Sequence, residues 1–377
     1  MMKITTSGES HGKGLFAIIE GLPSHLAVDI EAINRDLALR QSGYGRGGRQ
    51  KIETDKVEIL TGVRDGKTLA SPVTLAVFNA DYENWKEYMA PEHCNVEGRT
   101  VTKVRPGHAD LTGMIKYGQT DARNILERSS ARETAIRVAV GALCRQLLSS
   151  LGVEVSGYVK EICGVKDEGE YTFEQIKGRL PELGMVSFDA QKRAMEKIDG
   201  LKADGDTCGG MLEIRVRGLK SGFGSCMTYG QKLDARLCAA LMSVQAIKGV
   251  EVGLGLGVAS LSGKDVHDEI FYENAGGFYR KTNRAGGIEG GMSNGEELVL
   301  RAAMKPIPTL MRGLSTVDYL TKQTVRASTE RSDVCAITAC EIILESVVCT
   351  ELCAVVLERL GGDTMEQIVE RYGRLPQ

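Results

Sequence analysis

The stretch VCAITACEIILESVVCTELCAVVLERL, residues 334–360, decides the fold of this chain. Apolar side chains cover most of the circumference of the helix that it predicts, and the glycine pair 361–362 ends that helix. A helix at a protein surface keeps a broad polar stripe toward water, whereas this one does not. We therefore expect a helix over 334–360 that is buried between two other layers.

The other predicted elements do not follow a regular β–α alternation. Apolar periodicity predicts helices over 30–40, 130–151 and 233–247, the second opened by a capping box between Ser130 and Glu133. Strands are predicted over 16–28 (with a turn), 51–53, 57–61, 73–78, 153–165, 211–219 and 298–304. Short groups of strands between long helices favour an α+β fold. No linker divides the chain, so we expect a single large domain over 1–377, with the last ~15 residues as a C-terminal tail.

The composition excludes several classes of protein. A net charge of −3 and a pI near 6.1 predict neither a nucleic-acid partner nor a membrane-surface partner. No apolar run approaches the ~18 residues that span a bilayer, and the first residues lack the core of a signal peptide. We therefore expect a cytoplasmic protein whose ten cysteines are reduced thiols. The 45 glycines cluster in short polar loops, which favours a ligand that approaches the backbone closely, such as an anion.

Residues 8–12, Gly-Glu-Ser-His-Gly, match the G-x-S-x-G turn that presents the nucleophile of α/β-hydrolases. That turn needs a strand before it and a helix after it, but few residues precede Gly8 and the following segment is strand-like. A serine hydrolase is therefore a weak interpretation, and His11 becomes the residue of interest.

A second motif, residues 43–48, has the form G-x-G-x-x-G. A dinucleotide fingerprint follows a strand and opens a helix, whereas this loop follows a predicted helix and precedes a strand. What remains is a loop with three arginines, Arg40, Arg46 and Arg49. It either closes over an anionic ligand or is a solvated basic loop.

Histidine is scarce, with five in the chain, and two of the five lie in tight polar loops. His11 and His108 are the side chains best suited to transfer protons near neutral pH, although each is equally compatible with a loop residue of no function. His25, His93 and His267 have the context of ordinary surface positions. No histidine has metal-ligand spacing to another histidine or cysteine, so we expect no metal site.

Several segments have the features of an anion-binding site, either basic side chains or glycine-rich backbone. Arginines and hydroxyls in 128–132 surround a predicted helix N-terminus, whose free N–H groups favour an anion, although a well-capped helix with solvated arginines explains them equally. Residues 331–333 repeat this pattern at the last helix, where Asp333 would be the N-cap. A stiff basic turn over 305–309 and a glycine loop over 286–291 complete a set that suggests one ligand with several negative charges.

Taken together, these segments resemble the chorismate synthase family from about Gly8 to Gly362. Three signatures carry the resemblance: GESHG (8–12) through Pro23, ERSSARET (127–134) and RSD (331–333). RPGHAD (105–110), AIKGVE (246–251), GGIEGG (286–291) and KPIPT (305–309) match in order and at similar spacing.

The resemblance implies both an activity and a fold. It implies a lyase of the shikimate pathway that converts 5-enolpyruvylshikimate 3-phosphate into chorismate and phosphate, with reduced FMN required but no net redox change. The family fold is a helical layer sandwiched between antiparallel β-sheets, assembled as a homotetramer.

The resemblance also assigns residues to the site. Those matching substrate or NADP contacts are Arg40, Arg46, Arg105 and Arg132, with Arg40 and Arg46 as the NADP pair. Those matching FMN contacts are Arg128, Ser129, Ser130, Gln245, Ala246, Gly290, Lys305, Pro306, Ile307, Pro308, Thr309 and Arg331, which also matches a substrate contact. Gln245 stands where many relatives carry asparagine.

Four residues receive catalytic roles by the same resemblance. His11 would protonate the departing phosphate, and His108 would lie beside N1 of the flavin. Asp333, with Ser10, would relay the substrate proton from N5. Two other classes stay open: a flavin oxidoreductase that consumes NADPH, and a non-catalytic anion-binding protein. No flavin-reductase domain is visible in the sequence, so an external reductase is the expected source of reduced flavin.

Overall fold

The computed structural model describes residues 2–47, 54–92, 95–274, 276–327 and 333–376. Its helices are α1 (Ile30–Gln41), α2 (Lys86–Met89), α3 (Asp110–Tyr117), α4 (Arg123–Ser129), α5 (Thr134–Ser150), α6 (Phe173–Lys177), α7 (Phe188–Ala203), α8 (Leu233–Met242), α9 (Gly263–Val266), α10 (Ile337–Leu360) and α11 (Met365–Gly373). Its strands are β1 (Lys3–Gly8), β2 (Gly14–Glu20), β3 (Ser24–Ala27), β4 (Glu58–Thr61), β5 (Val63–Arg64), β6 (Lys67–Leu69), β7 (Val73–Phe78), β8 (Glu154–Ile162), β9 (Val165–Lys166), β10 (Gly210–Arg217), β11 (Ile247–Val252), β12 (Ile270–Glu273), β13 (Gly277–Arg280), β14 (Ile288–Glu289), β15 (Met292–Ser293), β16 (Leu298–Met304), β17 (Ser315–Val317) and β18 (Thr324–Arg326).

Two antiparallel sheets form the outer layers. One has the strand order β1-β2-β7-β4, and the other has the order β11-β16-β10-β8-β9. In the second sheet, Glu213 of β10 lies opposite Arg301 of β16. A three-stranded sheet, β3-β6-β5, and the hairpins β12-β13, β14-β15 and β17-β18 lie around them.

The long helices fill the space between the two sheets. Helix α5 packs on β2 and β7 of the four-stranded sheet, while α10 packs on β8 and β10 of the five-stranded sheet. The two helices pack on each other, with α1 and α8 beside them. This is the helical layer between antiparallel sheets, and it confirms the α+β prediction. Helix α10 is the buried central element that its sequence predicts.

The contact between α5 and α10 depends on the absence of a side chain at Gly141. A Cβ built on Gly141 would overlap the carbonyl oxygen and the Cβ of Ser346 on α10. Ser346 is itself fully buried, and its hydroxyl donates to the Ile342 carbonyl at 2.8 Å. The two helix backbones therefore approach each other as closely as glycine allows.

Helix α10 carries two buried glutamates that face arginines. Arg179 lies 2.5 Å from Glu341 and 3.1 Å from Glu345, and Arg145 lies 2.7 Å from Glu345. Burial raises the pKa of Glu341, whereas the two arginines outweigh burial and lower the pKa of Glu345. Within the described ranges, no helix is both long and apolar enough to cross a membrane.

The entry into α5 differs from the predicted capping box. The Ser130 hydroxyl accepts from the N–H of Arg132 at 3.3 Å, because Ala131–Glu133 form a 3₁₀ turn before the helix begins at Thr134. The carboxylate of Glu133 instead accepts from Thr6 at 3.2 Å and from Gln245 at 3.3 Å. Contacts with residues distant in the sequence therefore replace the predicted hydrogen bond between Glu133 and the Ser130 backbone.

The expected C-terminal tail contains helix α11. Met365, Ile368 and Tyr372, spaced along one face, are buried against the core. The Tyr372 hydroxyl donates to the Gly218 carbonyl at 2.6 Å, which ties this segment to the loop after β10. These residues are therefore part of the packed domain.

The described cysteines are free thiols. Six of them are buried: Cys144, Cys208, Cys335, Cys340, Cys349 and Cys353. Burial raises the pKa of Cys340 and that of Cys349 to about 12, so both thiols stay protonated at neutral pH and pack as small apolar groups.

Candidate active site

A cleft of about 600 Å³ opens where the N-terminal ends of α5 and α10 meet four loops. The loops are the β1–β2 turn, the segment before α3, the α8–β11 connection and the turn after β16. The predicted site residues that line it are Ser10, His11, Arg40, Arg46, Arg105, His108, Ser129, Ser130, Arg132, Gln245, Ala246, Lys305, Ile307, Pro308, Thr309 and Asp333.

Three described residues of the predicted set are not among those that line the cleft. Arg128 is partly exposed and donates to the carbonyls of Thr6 and Gly8 at 3.1 and 3.2 Å. Gly290 lies in the hairpin between β14 and β15, and Pro306 lies in the turn without lining the cleft. Arg331, together with Arg49 and Ser332 of the basic segments, lies outside the described residues.

His11 is held by helix α4. Its backbone N–H donates to Glu127 Oε2 at 2.8 Å, and its ring Nδ1 lies 2.9 and 3.0 Å from the two carboxylate oxygens. Arg123 donates to Glu127 Oε1 at 2.8 Å. Burial would raise the pKa of Glu127, but the hydrogen bonds from His11 and Arg123 lower it below its usual range.

A tryptophan covers the ring of His11. Trp85 stacks on it with 3.9 Å between ring centroids and 26° between the planes. The Trp85 indole N–H donates to Asp81 at 2.9 Å. The guanidinium groups of Arg99 and Arg123 lie 4.6 and 4.9 Å from the Trp85 ring centroid. The plane of the imidazole is thus fixed from one side.

His108 is held by a buried carboxylate of its own. Its Nδ1 lies 2.5 Å from Asp110 Oδ1, at the first residue of α3. Arg105 donates to Asp110 through Nε at 2.9 Å and Nη2 at 3.1 Å. Burial would raise the pKa of Asp110, but the hydrogen bonds from His108 and Arg105 lower it strongly.

The loop of His108 is tied to the basic turn across the cleft. Lys305 Nζ donates to the carbonyl of Gly107 at 2.5 Å. Gly107 has φ 76°, and a Cβ on it would lie 3.5 Å from Pro308. The left-handed backbone is what favours glycine here, because the space beside it would accommodate a Cβ at ordinary van der Waals distance.

Asp55 anchors two arginines in the wall of the cleft. Its carboxylate lies 2.6 Å from Arg132 and 3.4 Å from Arg40, and all three side chains are buried. Arg40 also donates to Thr134 at 3.0 Å and to the Ala131 carbonyl at 3.1 Å. Burial lowers the pKa of Arg40 to about 10, so it remains a cation at neutral pH. Two cations against one carboxylate leave this wall positively charged.

Asp333 does not cap the last helix. Helix α10 begins at Ile337, and Asp333 instead accepts from the Gly47 N–H at 2.5 Å and pairs with Arg46 at 3.0 Å. The N-cap interpretation is therefore wrong, because the loop after α1 provides stronger donors than the helix end. Arg46, Gly47 and Asp333 line the cleft together.

Several polar atoms of the lining lack a hydrogen-bond partner within the described ranges. They are Nε of Arg46, Oγ of Ser129 and Oε1 of Gln245, all buried. Ala246 beside Gln245 has φ 71°, a left-handed conformation that is costly for a residue with a Cβ. Buried donors and acceptors of this kind fit a polar, anionic ligand that would complete them.

The residues that hold the site together were not singled out from the sequence. Glu127 and Asp110 lie inside the signatures 127–134 and 105–110, beside residues that were assigned, so their position was a usable signal. Asp55 has no such signal, because its arginines come from distant parts of the chain.

Comparison with known proteins identifies the family. The chorismate synthase profile matches residues 2–357. Chorismate synthase of Geobacter metallireducens is 52% identical over 383 residues, covering 99% of this chain and 98% of that protein. The enzyme of Alkaliphilus metalliredigens is 52% identical over 370 residues, covering 98% and 97%. A crystal structure of chorismate synthase matches with a TM-score of 0.79 at 36% identity, covering 99% of this chain and 96% of that chain.

These matches extend through both histidine loops, the α4–α5 junction and the start of α10. They therefore include every segment that builds the cleft. The chain belongs to the chorismate synthase family, and its activity is that of a carbon–oxygen lyase.

Proposed function

We propose that the cleft catalyses the anti-1,4-elimination of phosphate from 5-enolpyruvylshikimate 3-phosphate to give chorismate, as a step of the shikimate pathway. The observation that carries the proposal is the pairing of two histidines, each backed by a buried carboxylate, in one arginine-lined cleft of about 600 Å³. An elimination of this kind has to remove a proton from one carbon and protonate a leaving group on another. Two separate proton-transfer groups suit that chemistry.

The charge of the cleft supports a substrate with two carboxylates and a phosphate. Arg46, Arg105 and Arg132 line it together with Lys305, and guanidinium groups are well suited to bind carboxylate and phosphate oxygens. The carboxylates of Asp55, Asp110 and Asp333 hold these arginines in fixed orientations. The substrate would therefore meet donors that are already oriented, which lowers the cost of ordering them on binding.

His11 is the proposed acid for the departing phosphate. It lines the cleft, and its imidazole can carry a proton near neutral pH. Protonation neutralises the charge that develops on the leaving oxygen as the carbon–oxygen bond breaks.

Reduced FMN is the proposed cofactor, and the orphaned polar atoms at Ser129 and Gln245 fit it. By family matching it would be held by Ser129, Ser130, Gln245, Ala246 and the turn 305–309, with Arg128, Gly290 and Arg331 as further contacts. These residues would hold the reduced flavin where it would supply electron density toward the breaking bond and a place for the substrate proton. His108, fixed by Asp110, would hold a proton beside the flavin N1, and Asp333 with Ser10 would carry the substrate proton away.

An NADPH-dependent flavin oxidoreductase is the second candidate. The family pattern gives Arg40 and Arg46 to NADP. Arg40, however, directs all three guanidinium nitrogens to Thr134, Asp55 and Ala131 inside the protein. This leaves little of its hydrogen-bonding capacity for a nucleotide phosphate, so we favour the lyase with an external flavin reductase.

An anaerobic assay separates the candidates. The protein is given the phosphorylated substrate and dithionite-reduced FMN, with or without NADPH, and chorismate, phosphate and NADPH are measured. We expect one phosphate per chorismate and no stoichiometric loss of NADPH. Steady NADPH oxidation without substrate would establish the oxidoreductase, and absence of phosphate release would leave an anion-binding protein.

Assembly as a homotetramer in the cytoplasm is also proposed from the family. The outer face of the four-stranded sheet supports an assembly, because Ile18, Leu60 and Phe78 are exposed there. Light scattering at micromolar concentration should give four times the mass of the 40.8 kDa chain.

A further inference from the structure

The carboxylate of Glu127 makes an unusual set of contacts with a proton-transfer residue. One oxygen accepts from the His11 backbone N–H, the other accepts from Arg123, and the ring Nδ1 of His11 lies within 3.0 Å of both. The Glu127 carbonyl also accepts from the Ser10 N–H at 2.9 Å. One residue of α4 thus fixes the backbone and the ring orientation of the β1–β2 turn.

The chemistry of this contact determines where the ring proton lies. Two cationic or polar donors hold Glu127 ionised, and an ionised carboxylate can only accept hydrogen bonds. Nδ1 of His11 must therefore carry hydrogen, which leaves Nε2 as the ring nitrogen available to the cleft. Trp85, stacked on the ring, holds the plane in which Nδ1 meets Glu127.

We propose that Glu127 is a positioning residue for His11, holding the Nδ1–H tautomer so that Nε2 exchanges the proton with the phosphate leaving group. This rests on the proposed function. In the step, the Nε2–H bond of the imidazolium breaks and its electron pair stays on nitrogen, while a new O–H bond forms on phosphate. The product is a neutral ring with hydrogen on Nδ1, the form that the Glu127 carboxylate stabilises.

The charges around His11 explain why a carboxylate is needed. Arg123 donates to the same carboxylate, and the guanidinium groups of Arg123 and Arg99 lie 4.9 and 4.6 Å from the centroid of Trp85, which stacks on the imidazole. These cations oppose an imidazolium, and Glu127 offsets them at close range. Glutamine at this position could both donate to and accept from Nδ1, so it would not select a tautomer.

The first test needs no variant. Ring-nitrogen NMR on the full-length protein, at a pH where His11 is neutral, reports which nitrogen carries hydrogen, with the signal assigned by its loss in His11→Ala. We expect Nδ1–H. An Nε2–H ring would overturn the proposal.

The second test compares Glu127→Gln with Glu213→Gln. Glu213 is also buried and pairs with two arginines, but it lies in the five-stranded sheet and not among the residues lining the cleft. In Glu127→Gln, we expect a mixed tautomer and at least ~10-fold lower kcat with little change in KM. In Glu213→Gln, turnover should be unchanged. Emission of Trp85, the single tryptophan, checks that the His11 loop is intact.

Two outcomes would overturn the role of Glu127: wild-type turnover in Glu127→Gln, or lost turnover with the tautomer unchanged, which assigns Glu127 to structure alone. Failure of the proposed function is a different result. A wild-type protein that makes no chorismate would refute the lyase reaction, while the ring NMR would still decide which ring nitrogen of His11 carries hydrogen beside Glu127.

Discussion

At the residue scale, the cleft is organised by carboxylates that are not themselves among the residues lining it. Asp55, Asp110 and Glu127 are buried, and each holds a cation or a histidine in one orientation. The histidines could be predicted from the sequence because scarcity and loop context mark them locally. The pairings of His11 with Glu127 and of Arg132 with Asp55 could not be predicted in the same way, because the partners are 116 and 77 positions apart in the sequence.

His108→Ala should lower turnover at least ~10²-fold, because a general acid–base group contributes on that order. The rate should be measured with FMN fully reduced by dithionite, so that a flavin-reduction defect cannot cause the loss. His267→Ala, outside the cleft lining, is the matched control and should retain wild-type turnover. A His108→Ala protein that works at the wild-type rate would remove His108 from the proton-transfer scheme.

Asp55→Ala should destabilise the fold by about 3–5 kcal/mol, because it leaves two buried arginines without their counter-charge. Urea unfolding followed by circular dichroism gives the free energy of unfolding. Asp29→Ala removes an exposed N-cap of α1 instead and should cost only about 1 kcal/mol. Equal losses in the two variants would contradict the charge argument.

At the element scale, segments with a strong local pattern were predicted well. The predicted start of helix α10 lies three residues before the observed one. The predicted bounds of β7 and β16 agree with the structure at both ends. One kind of error occurs where a residue predicted to cap a helix pairs with a distant residue instead, as Asp333 does with Arg46. Another occurs where an apolar pattern continues beyond the end of an element. Helix α8 was predicted to continue to residue 247, but it ends at Met242 and Ile247 begins β11.

Gly141→Ala should destabilise the fold by about 1–3 kcal/mol, because the methyl group would overlap Ser346 backbone on α10. The gain of ~1 kcal/mol from helix propensity does not offset this, since a helix backbone cannot move aside like a side chain. Gly200→Ala in α7 is the matched control, since nothing lies within 4 Å of its new Cβ. That variant should be more stable by up to ~1 kcal/mol. A stabilised Gly141→Ala would show that α5 and α10 are not in close contact.

At the scale of the whole molecule, the sandwich holds the cleft at the ends of its two central helices. Helix α5 packs on the four-stranded sheet and α10 packs on the five-stranded sheet, so the site lies between the parts of the molecule that each sheet supports. The family resemblance predicted this architecture, and hydrophobic patterning predicted the burial of α10. The sequence did not reveal the buried ionic groups in the core, because an apolar stretch with a few glutamates does not indicate which arginines they meet.

Acid should unfold the protein through carboxyls that are paired in the folded state. The pKa values of Glu127, Glu213 and Asp110 lie below their usual 4.5, 4.5 and 3.8. Their stabilisation is fully present above those usual values and is lost as pH falls through the lower folded values. Glu341 has a raised pKa, so its contribution to the free energy of unfolding increases, rather than decreases, as the pH falls.

The unfolding free energy should therefore decline below about pH 4.5, and Asp110→Asn should remove one contributor. In that variant, the free energy of unfolding should fall less steeply with decreasing pH, by up to about 1.4 kcal/mol per pH unit, which is the contribution of one proton. Urea titrations at a series of pH values measure both slopes. Identical slopes would show that Asp110 has no depressed pKa.

The most direct test of the account is the rate of chorismate formation by His11→Ala, with dithionite-reduced FMN and no nicotinamide nucleotide. If His11 is the acid for phosphate in this cleft, turnover should fall at least ~10²-fold while one phosphate is still released per chorismate. Wild-type turnover in His11→Ala would contradict the account.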